Sequence, residues 1–351
     1  MAIFSIPNIR MSGLAVAVPQ NRFSNEDYDW LSVAERKKLI KTTGVIERRI
    51  APEDVTSSDL CEEATNHLIE KLQWEPTSVD VLIFVCQMRD YIVPSTSPIL
   101  QDKLELSSHC MAFDVPLGCS GYVYGLSIAC SLLSHPGLNR ALLLAGDVTS
   151  RNNSYYDKTV HPLCGDAGSV TALEKDDHIP PMHFHMQTDG SGYDTIIIPH
   201  GGLRQPTDHS SLEPKEEAEG VIRTKLDYHL QGEKLLEFTM REVIPNIEQL
   251  LTSIQIDQHE IDYYIFHQAN LLMNEMLRKT LQIEEKKVPY SLPYFGNTIA
   301  ASIPLTMVTE LREKLQNQQL KILLSGFGVG LSWGSAYLTV DKPTVLPLIE
   351  T

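Results

Sequence analysis

The sequence predicts an α/β protein assembled from two related halves, and three observations carry that reading. Short runs rich in Val, Ile and Leu (Val81–Val85, Ala141–Ala145, Tyr263–Phe266, Lys321–Ser325) are bounded by polar residues or Gly. Such runs describe strands buried on both faces, in a parallel or mixed sheet covered by helices. Helix-like segments alternate with them, which is the α/β pattern. Finally, the chain matches itself at a nearly constant offset. A shift of 182 pairs Ile83-Phe84 with Ile265-Phe266, a shift of 180 pairs Leu142–Gly146 with Ile322–Gly326, and a shift of 178 pairs Gly118-Cys119-Ser120 with Gly296-Asn297-Thr298. Three matches in the same order predict two halves, 1–175 and 176–351.

Taken along the chain, Gly13–Pro19 reads as a first strand, too short for a signal-peptide core. Helices are expected at Ser58–Leu72, Pro98–Leu106, Gly121–Leu133, Gly232–Ile254 and Ala301–Leu315, alternating with the four strands above. Residues 202–220, with Pro206, Pro214 and Lys215-Glu216-Glu217, form the most loop-like stretch and read as an ordered surface excursion of the second half.

Charge and cysteine content narrow the function. The 351 residues carry 29 Lys and Arg against 45 Asp and Glu, a net charge of −16, with a mean hydropathy of −0.13. So acidic a surface is a poor phosphate binder, which argues against nucleic acid as a partner. No run approaches the ~18 apolar residues of a membrane span, and a cytoplasmic protein is expected. The six cysteines contain no C-x-x-C pair and are expected as reduced thiols. No metal is expected: His183 and His185, and His109 beside Cys110, lack further ligands at zinc-like spacing. No G-x-S-x-G elbow announces a serine hydrolase.

Three residues can carry chemistry. Cys119 lies in Leu117-Gly118-Cys119-Ser120-Gly121, between a strand and the helical pattern Tyr122–Leu133. A thiol at a helix N-terminus is favoured as thiolate by the unpaired amides and the dipole; the other reading is a small buried hydrophobe. The remaining five cysteines read as packing residues. His267 directly follows the strand Tyr263–Phe266, at the carboxyl end where open α/β sheets present ligand groups. Asn297 occupies the repeat position of Cys119, so a pseudo-twofold would set the two face to face at paired helix N-termini; a plain N-cap is the alternative. The glycine-rich Gly326–Gly330 turn is a poor dinucleotide fingerprint and a better candidate for backbone amides aimed at a ligand.

At these residues the chain resembles the β-ketoacyl-acyl-carrier-protein synthase III family of thiolase-fold condensing enzymes. The matches are Thr43–Ala51 (TGVIERRIA), the Cys119 segment, Cys164–Gly168 (CGDAG), His183–His185, Asp189-Gly190, His267–Asn270 (HQAN), Gly296–Thr298 (GNT) and Trp333–Ala336. The resemblance implies a thiolase-like fold of two duplicated βαβαβ halves in a layered αβαβα body. It implies that Cys119 takes an acyl group from acyl-CoA or an acyl carrier protein. His267 and Asn297 then stabilise the enolate formed as a malonyl thioester loses carbon dioxide, with the amides of Cys119 and Val329 as oxyanion donors. Asn rather than an acidic residue beside the Cys and His favours this decarboxylating branch. The implied substrates are acyl-CoA and a malonyl thioester without a further cofactor, and the implied assembly is a homodimer.

Departures from the family pattern bear on substrate. Lys38 and Thr42 replace an aromatic and a basic residue used for the CoA adenine, while the basic position before the Cys164 segment survives as Lys158. Leu272 and Glu237 replace basic residues, with Asn270 and Lys279 keeping the pattern around the HQAN segment. The docking patch for an acidic carrier protein is therefore weakened or rebuilt. Val93 stands where a Phe often caps the acyl pocket across the dimer, and predicts room for a longer or branched acyl group. Two alternatives accompany this reading: a same-fold acyltransferase acting on a hydroxyl or amine without forming a carbon–carbon bond, and a silent partner subunit, which the presence of Cys119 disfavours.

Overall fold

The computed structural model describes residues 2–351. The strands built from the Val-, Ile- and Leu-rich runs form two main sheets. In the first, Ile9–Val18, Ala167–Lys175, Arg140–Asp147, Val81–Val85 and Met111–Val115 lie side by side in that order. The second runs Ala2–Ile6, Met182–Thr188, Ser332–Asp341, Gln319–Gly328 and Tyr263–Phe266. Both sheets are mixed. Val81–Val85 pairs parallel with Arg140–Asp147, which pairs antiparallel with Ala167–Lys175. In the second sheet Tyr263–Phe266 pairs parallel with Gln319–Gly328, which pairs antiparallel with Ser332–Asp341.

Two helices lie between the sheets. Helix Gly121–Leu133 buries Tyr122, Val123, Leu126, Ala129, Cys130 and Leu133, and helix Ser302–Asn317 buries Ile303, Leu305, Val308 and Leu311. Both share one apolar core with residues from the two sheets, among them Leu14, Ile83, Leu143, Ile265 and Leu324. A helix enclosed on two sides can be apolar nearly all round, which is how Tyr122–Leu133 reads. The outer faces are covered separately. Helices Ser57–Leu72 and Thr96–Lys103 pack on the first sheet, against Leu82, Phe84 and Leu144. Helices Ile244–Ile254 and Leu271–Thr280 pack on the second, against Tyr264, Phe266 and Leu323. The result is five layers, helix–sheet–helix–sheet–helix.

The expected helix over Gly232–Ile254 is divided: Gly232–Phe238 and Ile244–Ile254 are joined by a π-helical turn, Thr239–Val243. The 202–220 excursion lies almost wholly exposed on the surface. It ends in a hairpin of Lys215–Ala218 with Val221–Arg223, anchored where Val221 bridges Asp157 and Arg223 lies 3.3 Å from the Asp157 carboxylate. Among the described residues no helix is long and apolar enough to cross a membrane.

Candidate active site

Cys119 is delivered by strand Met111–Val115 and a five-residue turn. Asp114 fixes the end of that strand by accepting the Thr96 and Ser97 amides, both at 2.8 Å, at the start of helix Thr96–Lys103. The Gly121 amide then closes the turn on the Gly118 carbonyl at 2.7 Å. Cys119 is 8% exposed. Burial pushes its thiol up to about 12, while the amides of Val329 and of Cys119 itself, both bonded to the sulfur, pull the other way. Desolvation thus opposes the helix N-terminus and the two amides, and it moves the thiol above its ordinary range rather than below it.

The second half supplies the wall against this sulfur. Gly328 has φ +152°, a conformation side chains rarely adopt, and a Cβ there would lie 2.8 Å from Cys119 Sγ. Only a glycine fits. Ser120 Oγ and Ser332 Oγ are 2.6 Å apart, and Ser332 Oγ donates to the Val329 carbonyl at 3.0 Å, so the Val329 loop is tied to the start of the Cys119 helix.

His267 stands at the carboxyl end of Tyr263–Phe266, with its amide on the Ser325 carbonyl at 2.8 Å. Its Nδ1 lies 2.8 Å from Ser302 Oγ, and the ring meets Phe327 edge-on at 5.8 Å. Burial pushes its pKa down to about 3, against a bond to the Ile299 backbone, so the imidazole stays neutral. Gln268 and Asn270 also brace the segment, while Ala269 and Asn270 line the cavity. Gln268 donates to the Phe266 carbonyl and accepts the Ser291 amide, and Asn270 caps helix Leu271–Thr280 through Met273.

Asn297 is not a plain helix N-cap, because a 3-10 turn, Ile299–Ala301, intervenes before Ser302–Asn317. Its backbone bridges to Cys164 of the first half, donating to the Leu163 carbonyl at 2.7 Å and accepting the Gly165 amide at 3.0 Å. The Oδ1 accepts the Ile299 amide at 2.9 Å, which leaves Nδ2 as the group to offer a ligand. Ile299 holds φ +50°, a strained value for a β-branched residue, of the kind that clusters at functional sites.

Cys119, His267, Asn297, Asn270 and Val329 line one cavity, with Gln87, Cys164 and Tyr228 in the same wall. Below it Asp147, fully buried, accepts the Gln87 and Met88 amides at 2.8 and 3.2 Å and also bonds the Ala300 backbone, linking the two halves. Burial raises its carboxyl to about 7.

The chain is similar to known proteins in sequence and in fold. Residues 113–190 match the family described as 3-oxoacyl-[acyl-carrier-protein] synthase III, and residues 251–340 match its C-terminal region. A putative 3-oxoacyl-[acyl-carrier-protein] synthase 3 of Campylobacter jejuni is 32% identical over 340 residues, 94% of this chain and 93% of that protein. The chain belongs to the 3-oxoacyl-[acyl-carrier-protein] synthase III family. A β-ketoacyl-[acyl-carrier-protein] synthase III of Syntrophomonas wolfei is 30% identical over 333 residues, covering 94% of this chain and 97% of that one. The solved 3-oxoacyl-(acyl-carrier protein) synthase of Burkholderia xenovorans superposes with a TM-score of 0.94 at 33% identity, covering 99% of both chains. The five layers are therefore those of the thiolase-like fold.

Not every expected residue of this synthase III chain reaches the cavity. Lys158 lies beside the hairpin, against Gly220, with its ammonium 3.9 Å from Glu35. Lys279 is an exposed side chain 3.8 Å from Glu275 on its own helix, and Val93 is 82% exposed on the surface. None of the three lines the cavity of this chain; Val93 was expected to act across a dimer, and it stands exposed on the surface. Cys164, expected as a packing residue, does pack with Val160 and Tyr228, and it also lines the cavity. Its bridge to Asn297 is the signal, since the repeat had already placed the Asn297 turn at the centre. Gln87 and Tyr228 sit in segments without any motif.

Proposed function

We propose that this chain is a condensing enzyme that loads an acyl group from acyl-CoA, or from an acyl carrier protein, onto Cys119 and joins it to a malonyl thioester with loss of carbon dioxide. The observation that supports it most is the convergence of Cys119, His267 and Asn297 on one cavity, with Gly328 leaving space at the sulfur. In the first step the Cys119 sulfur attacks the thioester carbonyl, and its proton departs with the CoA thiol. The Cys119 and Val329 amides, already bonded to the sulfur, are placed to hold the oxyanion of the tetrahedral intermediate.

In the second step the malonyl thioester carbonyl becomes an enolate oxygen as the carboxylate leaves. Asn297 Nδ2 is committed as a donor because Oδ1 is already taken. With Ser302 Oγ donating to Nδ1, the neutral His267 imidazole carries its single proton on Nε2, and that N–H is the second donor, with no fixed charge to hold the malonyl carboxylate in place. The enolate carbon then attacks the acyl-Cys119 carbonyl, the sulfur–acyl bond breaks, and the expelled sulfur takes a proton from solvent to become the thiol again.

Intact-mass measurement after incubation with short acyl-CoA donors should show one acyl adduct, absent in Cys119→Ala. Malonyl-CoA or malonyl carrier protein should then discharge it with release of carbon dioxide. Discharge to a hydroxyl or amine without carbon dioxide would overturn the condensing reading.

We also propose a homodimer through the first sheet. Met111–Val115 is an edge strand with Met111 exposed, and the exposed run Tyr91–Val93 leads into the helix that Asp114 holds. A dimer through this edge would carry Val93 toward the neighbouring cavity. Sedimentation of a monomer at micromolar concentration would refute it.

A further inference from the structure

The cavity beyond Cys119 is not uniformly apolar. Val160, Ile196, Leu230 and Leu235 supply carbon surface, and Gln87 and Tyr228 interrupt it. The Gln87 amide lies directly over the turn that carries the nucleophile: a Cβ on Gly118 would meet its Oε1 at 2.2 Å and its Nε2 at 3.0 Å. Tyr228, 8% exposed, donates its hydroxyl to Gln87 Oε1 over a long 3.4 Å and approaches Met88 Sδ at 3.8 Å. Gln87 Nε2 makes no hydrogen bond among the described residues, and the Tyr228 oxygen has its acceptor capacity left. The polarity continues one layer deeper. Thr149 and Asn153 approach the Cys164 thiol, yet Thr149 Oγ1 and Asn153 Oδ1 are buried without a hydrogen-bond partner.

An alkyl chain laid along this wall would shield Gln87 Nε2 and Tyr228 Oη from water and give them nothing in return, a loss that weakens binding. A group that both accepts and donates would satisfy them together. Gln87 and Tyr228 share this wall with Cys119 itself, so the group they contact is the part of the acyl chain near the thioester, and a short acyl group suffices to reach them.

We infer that the acyl group loaded on Cys119 is a short hydroxyacyl group, whose hydroxyl accepts from Gln87 Nε2 and donates to Tyr228 Oη. This rests on Cys119 being the acylated nucleophile, as proposed above. The loading step leaves the hydroxyl untouched: the Cys119 sulfur–carbon bond forms, the CoA sulfur–carbon bond breaks, and the thiol proton ends on CoA. Gln87 and Tyr228 thus select among donors and take no part in bond making.

The test is a competition between butyryl-CoA and 3-hydroxybutyryl-CoA, each enantiomer in turn, at equal concentration, read by intact mass on the wild-type protein. One hydroxybutyryl enantiomer should label Cys119 at least about 10-fold faster than butyryl, since a site built for a hydroxyl rejects the analogue lacking it. In Tyr228→Phe and in Gln87→Leu the ratio should fall toward one. Equal or faster butyryl labelling of the wild type overturns the inference and leaves the condensing reading standing. Labelling by neither donor overturns both. The wild-type ratio decides the matter even if a variant fails to fold.

Discussion

In the first half, Val81–Val85 lies parallel to Arg140–Asp147, and Ala167–Lys175 and Ile9–Val18 follow antiparallel. In the second, Tyr263–Phe266, Gln319–Gly328, Ser332–Asp341 and Met182–Thr188 repeat that order and those senses. The halves part at the turn before the central helix. Gly118-Cys119-Ser120 enters helix Gly121–Leu133 at once, whereas Gly296-Asn297-Thr298 meets a 3-10 turn first and holds Ile299 at φ +50°. The direct entry sets a sulfur beneath two amides. The delayed entry engages one end of an amide side chain and frees the other. One scaffold thus presents a buried thiol in one half and a free amide nitrogen in the other, and the difference is a single turn.

That division can be broken experimentally. Asn297→Ala should leave acylation of Cys119 in place and slow malonyl decarboxylation by about 10²- to 10³-fold, the loss expected of one preorganised donor. Loss of both steps would mean that Asn297 supports the fold of the cavity and not the enolate. Gly328→Ala, a second-half change at a first-half sulfur, should slow adduct formation by about 100-fold, because displacing a nucleophile by an ångström has that effect. Unchanged labelling would show that the sulfur has room the structure denies it. A milder probe is pH. With the thiol pushed up to about 12 and His267 down to about 3, acylation should rise about tenfold per pH unit from 6 to 9 without a plateau. A plateau near neutrality would reveal a thiolate–imidazolium pair.

The smallest effect concerns Asp147, which links the halves. Its folded pKa, raised to about 7 by burial, lies above the unfolded value of about 3.9, so the folded chain binds the extra proton between them. Stability from this group is whole below pH 4 and is lost as pH rises toward 7, on the order of 2 kcal/mol between pH 5 and 7. Thermal melts of Asp147→Asn should show a correspondingly flatter fall over that range; parallel curves would place the titration elsewhere.

Much of this was legible in the chain. The repeat at offsets of 178 to 182 anticipated two matched sheets, and Cys119, His267 and Asn297 were marked by strand ends, glycines and helix starts. These are local signals. What escaped is set by distant parts of the fold. The thiol state depends on desolvation by both halves. Gln87 and Tyr228 are 141 positions apart and meet only in the cavity. The helix Val33–Thr43 is hard to read from sequence for another reason: it buries no side chain and so has no apolar stripe, although Ser32 and Glu35 form a capping box at its start.

The terminal strands do not respect the division between the halves. Ala2–Ile6 completes the second sheet, whereas Thr344–Val345 and Ile349–Glu350 flank Ile9–Val18 in the first, where Arg49 also meets Glu350. Each copy is thereby hemmed by the far end of the chain belonging to the other. The duplicated units are consequently interlocked rather than adjoined: neither can be excised whole, and damage at one terminus is felt by the opposite sheet.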